Sequence, residues 1–237
     1  MLFNYFTYVS ISNSLIWIFI LVAVVLIISF LRDRRPKTKK VIFFGDSLTE
    51  FGVHSDGYIT VMKRMLKQQG ITDYDLVGAG ISGNKVADLY ARLIKDVITQ
   101  SPRIVVIWIG VNDIWHKYSH GTGTEATVFE KTYRDIVKQL LEDKIKLLLV
   151  TPAVIGEKID HIDYVDDELD QYAAIIKNIA ADNELAICDM RTLFQQYEIN
   201  NNLLNANKGV LTTDGIHLNS AGNTFAAGEI WKVLKDI

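Results

Sequence analysis

Five short apolar runs, at residues 41–45, 74–78, 103–109, 145–151 and 184–188, alternate with longer stretches that carry helical periodicity, at roughly 57–69, 84–99, 125–143, 164–182 and 219–236. A strand with one wet face alternates apolar and polar residues. Ile104-Val105-Val106-Ile107-Trp108-Ile109 is instead apolar throughout, the pattern of a strand covered on both faces. Strands of this kind, separated by helix-length segments, imply βαβ crossovers and a parallel sheet between two layers of helix. The expected fold class is therefore α/β, with a five-stranded parallel sheet built by residues 41–237. Gly70 and the Lys-rich helix ends fit helix stops.

Before residue 41 the pattern changes. From Leu2 to Leu31 there is no charged side chain, and Leu15 to Leu31 is almost wholly apolar. With Ile11 to Ser14 this approaches the roughly 20 residues that cross a bilayer core. The start carries no basic residue and no small-residue cleavage site precedes Arg32, so a retained N-terminal transmembrane helix (about 11–31) is expected rather than a cleaved signal. Residues 32–40 hold six basic side chains and Asp33, a net +5, with Pro36 as a breaker. They read as a juxtamembrane linker that meets anionic headgroups and, by the positive-inside rule, leaves the domain on the cytoplasmic side of a single-pass membrane protein. The chain as a whole is −3 and residues 1–31 are uncharged, so residues 41–237 carry −8. This gives no support to nucleic-acid binding. The one cysteine, Cys188, excludes an intrachain disulfide.

The chemistry begins at Gly45-Asp46-Ser47-Leu48, which closes the first apolar run and opens a helix-like segment. A serine at such a turn has an exposed hydroxyl beside the free N–H groups of a helix start, which suits a nucleophile, although Gly-Asp-Ser also reads as turn punctuation. Far along the chain, Asp214-Gly215-Ile216-His217 can bring a carboxylate to an imidazole in one tight turn. A serine needs a base, and the base needs a group that fixes its tautomer. Ser47, His217 and Asp214 would fill these three roles. Asn112, in Gly110-Val111-Asn112-Asp113, falls at the carboxyl end of the central strand, where ligands bind in open α/β sheets. Its amide could donate to an oxyanion, or it could only shape a turn with Asp113. Gly83, in Gly80-Ile81-Ser82-Gly83-Asn84, has no Cβ, so its N–H could approach a ligand closely.

Taken in order, Ser47 in Gly-Asp-Ser-Leu, Gly83, Asn112 in Gly-Val-Asn-Asp and His217 in Asp-Gly-Ile-His resemble the four blocks of the SGNH hydrolases, the GDSL family of esterases and lipases, over roughly residues 41–237. The resemblance implies a flavodoxin-like three-layer sandwich. It implies a serine esterase with a Ser47–His217–Asp214 triad, and an oxyanion hole made by the N–H groups of Ser47 and Gly83 with the side chain of Asn112. No block departs from the pattern. Acyl transfer to a sugar or lipid hydroxyl by the same triad remains a second reading, and a membrane-tethered binding module without chemistry a third.

Other motifs carry less. Gly78-Ala79-Gly80-Ile81-Ser82-Gly83 satisfies G-x-G-x-x-G but lacks an acidic residue about 20 positions on at the end of the next strand, so no dinucleotide is expected. His116, His120 and His161 have no metal-ligand spacing, and neither a metal nor another cofactor is expected. The segment from Ile114 to Glu125, with Trp115, is a candidate rim of the pocket and equally readable as a surface loop; the segment from Ala153 to Tyr164, with Val154, is a second candidate rim. Asp46, Trp115 and Val154 are the candidate substrate-binding residues, for a small-molecule or lipid ester.

Overall fold

The computed structural model describes residues 38–160 and 164–237, together with Trp17, Ile18, Ile20, Leu21, Val22 and Val24, which are helical and exposed. Residues 1–37 and 38–237 are separate units. Most of the expected span at 11–31, residues 32–37 of the linker, and His161 lie outside the described residues. Among those described, no helix is long and apolar enough to cross a membrane.

The larger unit has five strands: β1 (Lys39–Gly45), β2 (Tyr74–Gly80), β3 (Ile104–Trp108), β4 (Lys146–Val150) and β5 (Ala186–Cys188). All pair in parallel in the order β2-β1-β3-β4-β5. The first strand begins inside the expected linker. Lys39 and Lys40 pair with Tyr74 and Asp75, and Lys39 Nζ donates to the Tyr74 hydroxyl at 2.9 Å, so part of the basic stretch is edge of sheet.

The helices are α1 (Ser47–Phe51), α2 (Tyr58–Gln68), α3 (Val86–Asp96), α4 (Val111–Ser119), α5 (Ala126–Glu142), α6 (Tyr164–Asp182), α7 (Met190–Asn201) and α8 (Ser220–Leu234). Because side chains alternate along a strand, β1 sends Val41 and Phe43 to one face and Ile42 and Phe44 to the other, all fully buried. The first face packs on α2, α7 and α8 and the second on α3, α5 and α6. Each fully buried Val, Ile or Phe side chain contributes about 1.5–3 kcal/mol, which explains why the central strands tolerate no polar position.

Two helices depart from expectation. The Ile114–Glu125 segment reads as a pocket rim or a surface loop, with no helix expected; helix α4 occupies its first half, with an inner face of Val111 and Ile114 beside buried Asn112 and Asp113. In α7 the buried positions include Arg191, ion-paired to Asp166 at 2.6 Å and Asp170 at 2.7 Å, and Glu198. Charged residues on the inner face erase the apolar period by which a helix is recognised.

β1 has β2 on one side and β3 on the other, so the strand order reverses between β1 and β3. In sheets of this order ligands bind beyond the carboxyl ends of the strands at that reversal.

Candidate active site

Ser47 opens α1 directly after β1. Asp46 caps the helix, its Oδ1 accepting from Leu48 N–H at 3.0 Å. Gly45 must be glycine, since a Cβ there would stand 2.3 Å from the Trp108 carbonyl of β3. The turn is thus wedged between neighbouring strands, leaving Ser47 only 7% exposed.

The Ser47 Oγ lies 2.9 Å from His217 Nε2, and His217 Nδ1 lies 2.7 Å from Asp214 Oδ2. A carboxylate can only accept, so the Nδ1 proton points at Asp214 and Nε2 is the free acceptor facing the serine hydroxyl. Asp214 Oδ1 also takes the N–H groups of Ile216 at 3.0 Å and His217 at 2.8 Å. Partial burial alone would raise the Asp214 carboxyl. The bonds from the His217 ring and from these two N–H groups outweigh it and hold the group below the usual carboxylate range. Phe51, at the end of α1, lays its ring 5.3 Å from the imidazole. No sequence pattern singled it out.

Asn112, in the first turn of α4, donates through Nδ2 to the Asn84 carbonyl at 3.0 Å and reaches Asp46 Oδ2 at 3.5 Å. Gly83 sits in the exposed turn after β2 with φ +78°, a conformation that favours glycine. That turn is tied to α1, because Glu50 accepts from Ser82 N–H at 2.6 Å and from the Ser82 hydroxyl. The hydrogen bonds from Ser82 hold the Glu50 carboxyl below its usual range.

A second tie comes from Arg92 of α3. Its guanidinium donates to the carbonyls of Gly45 at 2.8 Å and Ala79 at 3.0 Å and to Asn84 Oδ1 at 2.8 Å. One planar fork therefore joins the strand end before Ser47, the end of β2 and the residue after Gly83. Two glycines of the G-x-G-x-x-G run serve close packing on the α1 side: a Cβ on Gly80 would stand 2.0 Å from the Glu50 nitrogen and one on Gly78 2.4 Å from the Val53 side chain.

The expected substrate-contacting residues divide. Trp115 is 38% exposed on α4. Asp46 is buried under the turn and Val154 is buried in the core, so neither exposes its side chain in this structure. Asp46 faces inward because its carboxylate caps the helix, and Val154 because the chain leaving β4 stays against the sheet. Burial pushes the Asp46 carboxyl up to about 7 and that of Asp113 up to about 6, with hydrogen bonds from Leu48 N–H and from Thr124 and Val86 N–H opposing it respectively. Asp113 accepts from Val86 N–H with both oxygens at 3.2 Å, which starts α3.

Comparison with known proteins shows the family. The GDSL-like lipase/acylhydrolase family matches residues 43–225. An acetylxylan esterase from Geobacillus stearothermophilus is 32% identical over 80% of this chain and 90% of its own length. The crystal structure of an acetyl xylan esterase, AlAXEase, superposes with a TM-score of 0.80 at 50% identity, covering 81% of this chain and 98% of that one. Axe2, an acetylxylan esterase from Geobacillus stearothermophilus, superposes with a TM-score of 0.73 at 26% identity over 84% of this chain and 96% of its own. Its forms lacking one serine, one aspartate or one histidine are described as catalytic mutants.

Proposed function

The chain belongs to the GDSL-like lipase/acylhydrolase family and is a carboxylic ester hydrolase, and on that premise we propose that it removes short acyl groups, acetyl above all, from carbohydrate hydroxyls through an acyl-enzyme on Ser47. The observation that carries this reading is the 2.9 Å approach of Ser47 Oγ to His217 Nε2, with the other ring nitrogen held by Asp214. As Oγ attacks the ester carbonyl, Nε2 takes its proton. When the tetrahedral intermediate collapses, that proton passes to the departing sugar oxygen. Water then attacks the acyl-enzyme with His217 again as base, releasing acetate and restoring the Ser47 hydroxyl. Asp214 stabilises the imidazolium of each step.

The developing oxyanion would be met by the N–H groups of Ser47 and Gly83 and by the Asn112 amide, which would keep its 3.0 Å bond to the Asn84 carbonyl and exchange its longer 3.5 Å contact with Asp46 for the oxyanion. The substrate class is supported by the acetylxylan esterases among the relatives. Trp115, exposed on α4, would stack on a sugar face. Acetate release from acetylated xylooligosaccharides and from p-nitrophenyl acetate tests the reading. Wild type should hydrolyse both and prefer acetyl to palmitoyl esters. Activity undiminished by Ser47→Ala would end the mechanism, and preference for palmitoyl would end the substrate class.

We infer further that residues 11–31 anchor the chain in a membrane with the domain on the cytoplasmic face. The uncharged run, the basic residues after it, and the exposed apolar side chains of Trp17 and Leu21 support this. Deleting residues 1–37 should move the protein from the membrane to the soluble fraction. The domain should resist protease added to intact cells and be cut after permeabilisation.

A further inference from the structure

The segment that carries Asp214 and His217 runs from Asn202 to Asn219 without a helix or strand, holding one isolated bridge between Thr212 and Leu218. Backbone of this kind needs partners from elsewhere. Those it finds converge on one residue. Glu157, in the chain leaving β4, is fully buried and accepts three consecutive backbone N–H groups: Leu211 at 2.5 Å and Thr212 at 2.7 Å on Oε1, and Val210 at 2.8 Å on Oε2.

The main chain on either side of the carboxyl group is stitched to the same segment. Glu157 N–H donates to Asn207, at 3.0 Å, and Gly156 N–H to Gly215, at 2.8 Å, each on the backbone carbonyl. The Glu157 carbonyl in turn accepts from Asn202 Nδ2 at 2.5 Å. From Thr212 the contacts lead straight to the reacting groups. Its hydroxyl accepts from Gly215 N–H at 3.0 Å, and Thr213 N–H donates to the His217 carbonyl at 2.8 Å. Gly215 lies between the aspartate and the histidine.

A buried carboxylate is costly, and Glu157 has no Lys or Arg within ion-pair distance among the described residues. An apolar residue in its place would leave the N–H groups of Val210, Leu211 and Thr212 without this acceptor. What Glu157 provides is geometry, because one rigid planar acceptor dictates the path of three successive peptide planes.

We propose that Glu157 is a positioning residue for the reaction: it fixes the 210–217 segment so that Asp214 holds the His217 ring with Nε2 aimed at Ser47 Oγ. The kinetic consequence rests on the hydrolase reading; the geometric one does not. A misplacement of about 1 Å of a catalytic group can cost about 100-fold in rate.

The test uses the full chain with Glu157→Gln, which keeps shape and loses one acceptor, and Glu157→Asp, which keeps the charge and retracts it by one methylene. The low-field proton resonance of the His217 Nδ1–H in its bond to Asp214 should be present in wild type and lost or broadened in both variants. The kcat on p-nitrophenyl acetate should fall by roughly 10- to 100-fold with KM nearly unchanged. Leu140→Ala, in the core on the far face of the sheet, lowers Tm without this pattern and controls for general destabilisation.

A folded variant that keeps both the resonance and the wild-type kcat would overturn the proposal. So would failure of both variants to fold, since Glu157 would then serve the fold and not the turn. If wild type shows the resonance but hydrolyses no ester, the hydrolase reading falls and the role of Glu157 is still read from the proton.

Discussion

Ser47 and Asn112 stand at the ends of adjacent strands, whereas Asp214 and His217 stand on a loop with no strand or helix of its own. The difference shows in exposure: Ser47 and Asn112 are buried, while Asp214 is exposed. It shows again in what holds each side. The nucleophile side is tied by a donor, the Arg92 guanidinium, which collects carbonyls at strand ends. The acid–base side is tied by an acceptor, the Glu157 carboxylate, which collects N–H groups along a loop. Parallel strands finish with unpaired carbonyls and a wandering loop with unpaired N–H groups, so each side recruits the opposite charge. Phe51 is where the two meet, its ring on the sheet side and against the imidazole of the other.

The comparison can be attacked from its strongest point downward. Ser47→Ala should lower kcat by about 10⁴- to 10⁶-fold in steady-state hydrolysis of p-nitrophenyl acetate while Tm stays close to wild type, because the turn is wedged by Gly45 and not by the hydroxyl. Asn112→Ala should cost about 10²–10³-fold in kcat, and an effect confined to KM would remove Asn112 from the oxyanion role. Arg92→Lys replaces a fork by a point charge that cannot reach three acceptors. A loss of roughly tenfold in kcat is expected, shrinking when the same change is made in Asn112→Ala. Full additivity in that double variant would show that Arg92 does not act through the Asn84–Asn112 link.

The smallest effect concerns stability on the loop side. Burial, and then the nearby Glu157, pushes the Glu198 carboxyl up to about 8 from 4.5, with Arg191 opposing and Asp166 adding. The folded state therefore holds a proton that the unfolded chain releases above about 4.5. Stability from this group is complete below that pH, declines as pH rises toward about 8, and is level beyond. Glu198→Gln should remove that decline, so the Tm difference between variant and wild type should grow from pH 5 to pH 8 in thermal melts. A difference independent of pH would place the ionisation elsewhere.

Much of this was readable in the residues. The unbroken apolar runs of β1, β3 and β4 mark strands covered on both faces, and their spacing leaves room only for crossovers. Ser47, Gly83, Asn112, Asp214 and His217 stood out together, by their order along the chain and the family it resembles, since each motif alone also reads as an ordinary turn. Local pattern said least where a side chain faces inward for a reason that its neighbours in sequence do not show. Arg191 and Glu198 hide α7, Asp46 looks like a pocket residue and is a cap, and Val154 looks like a rim residue and is core. Arg92 and Glu157 read as ordinary surface charges on a helix and a loop.

The periodicity of apolar residues, a property of neighbours in the chain, determined the layered sheet and the ends at which chemistry could occur. The tertiary structure alone decided that residues 47 and 217 meet, and that Arg92 and Glu157 are the two charges bracing them. Hydrophobic burial leaves its record at short sequence intervals, whereas a hydrogen bond spanning 53 to 55 residues, as between Glu157 and Val210 to Thr212, leaves none until the chain has folded.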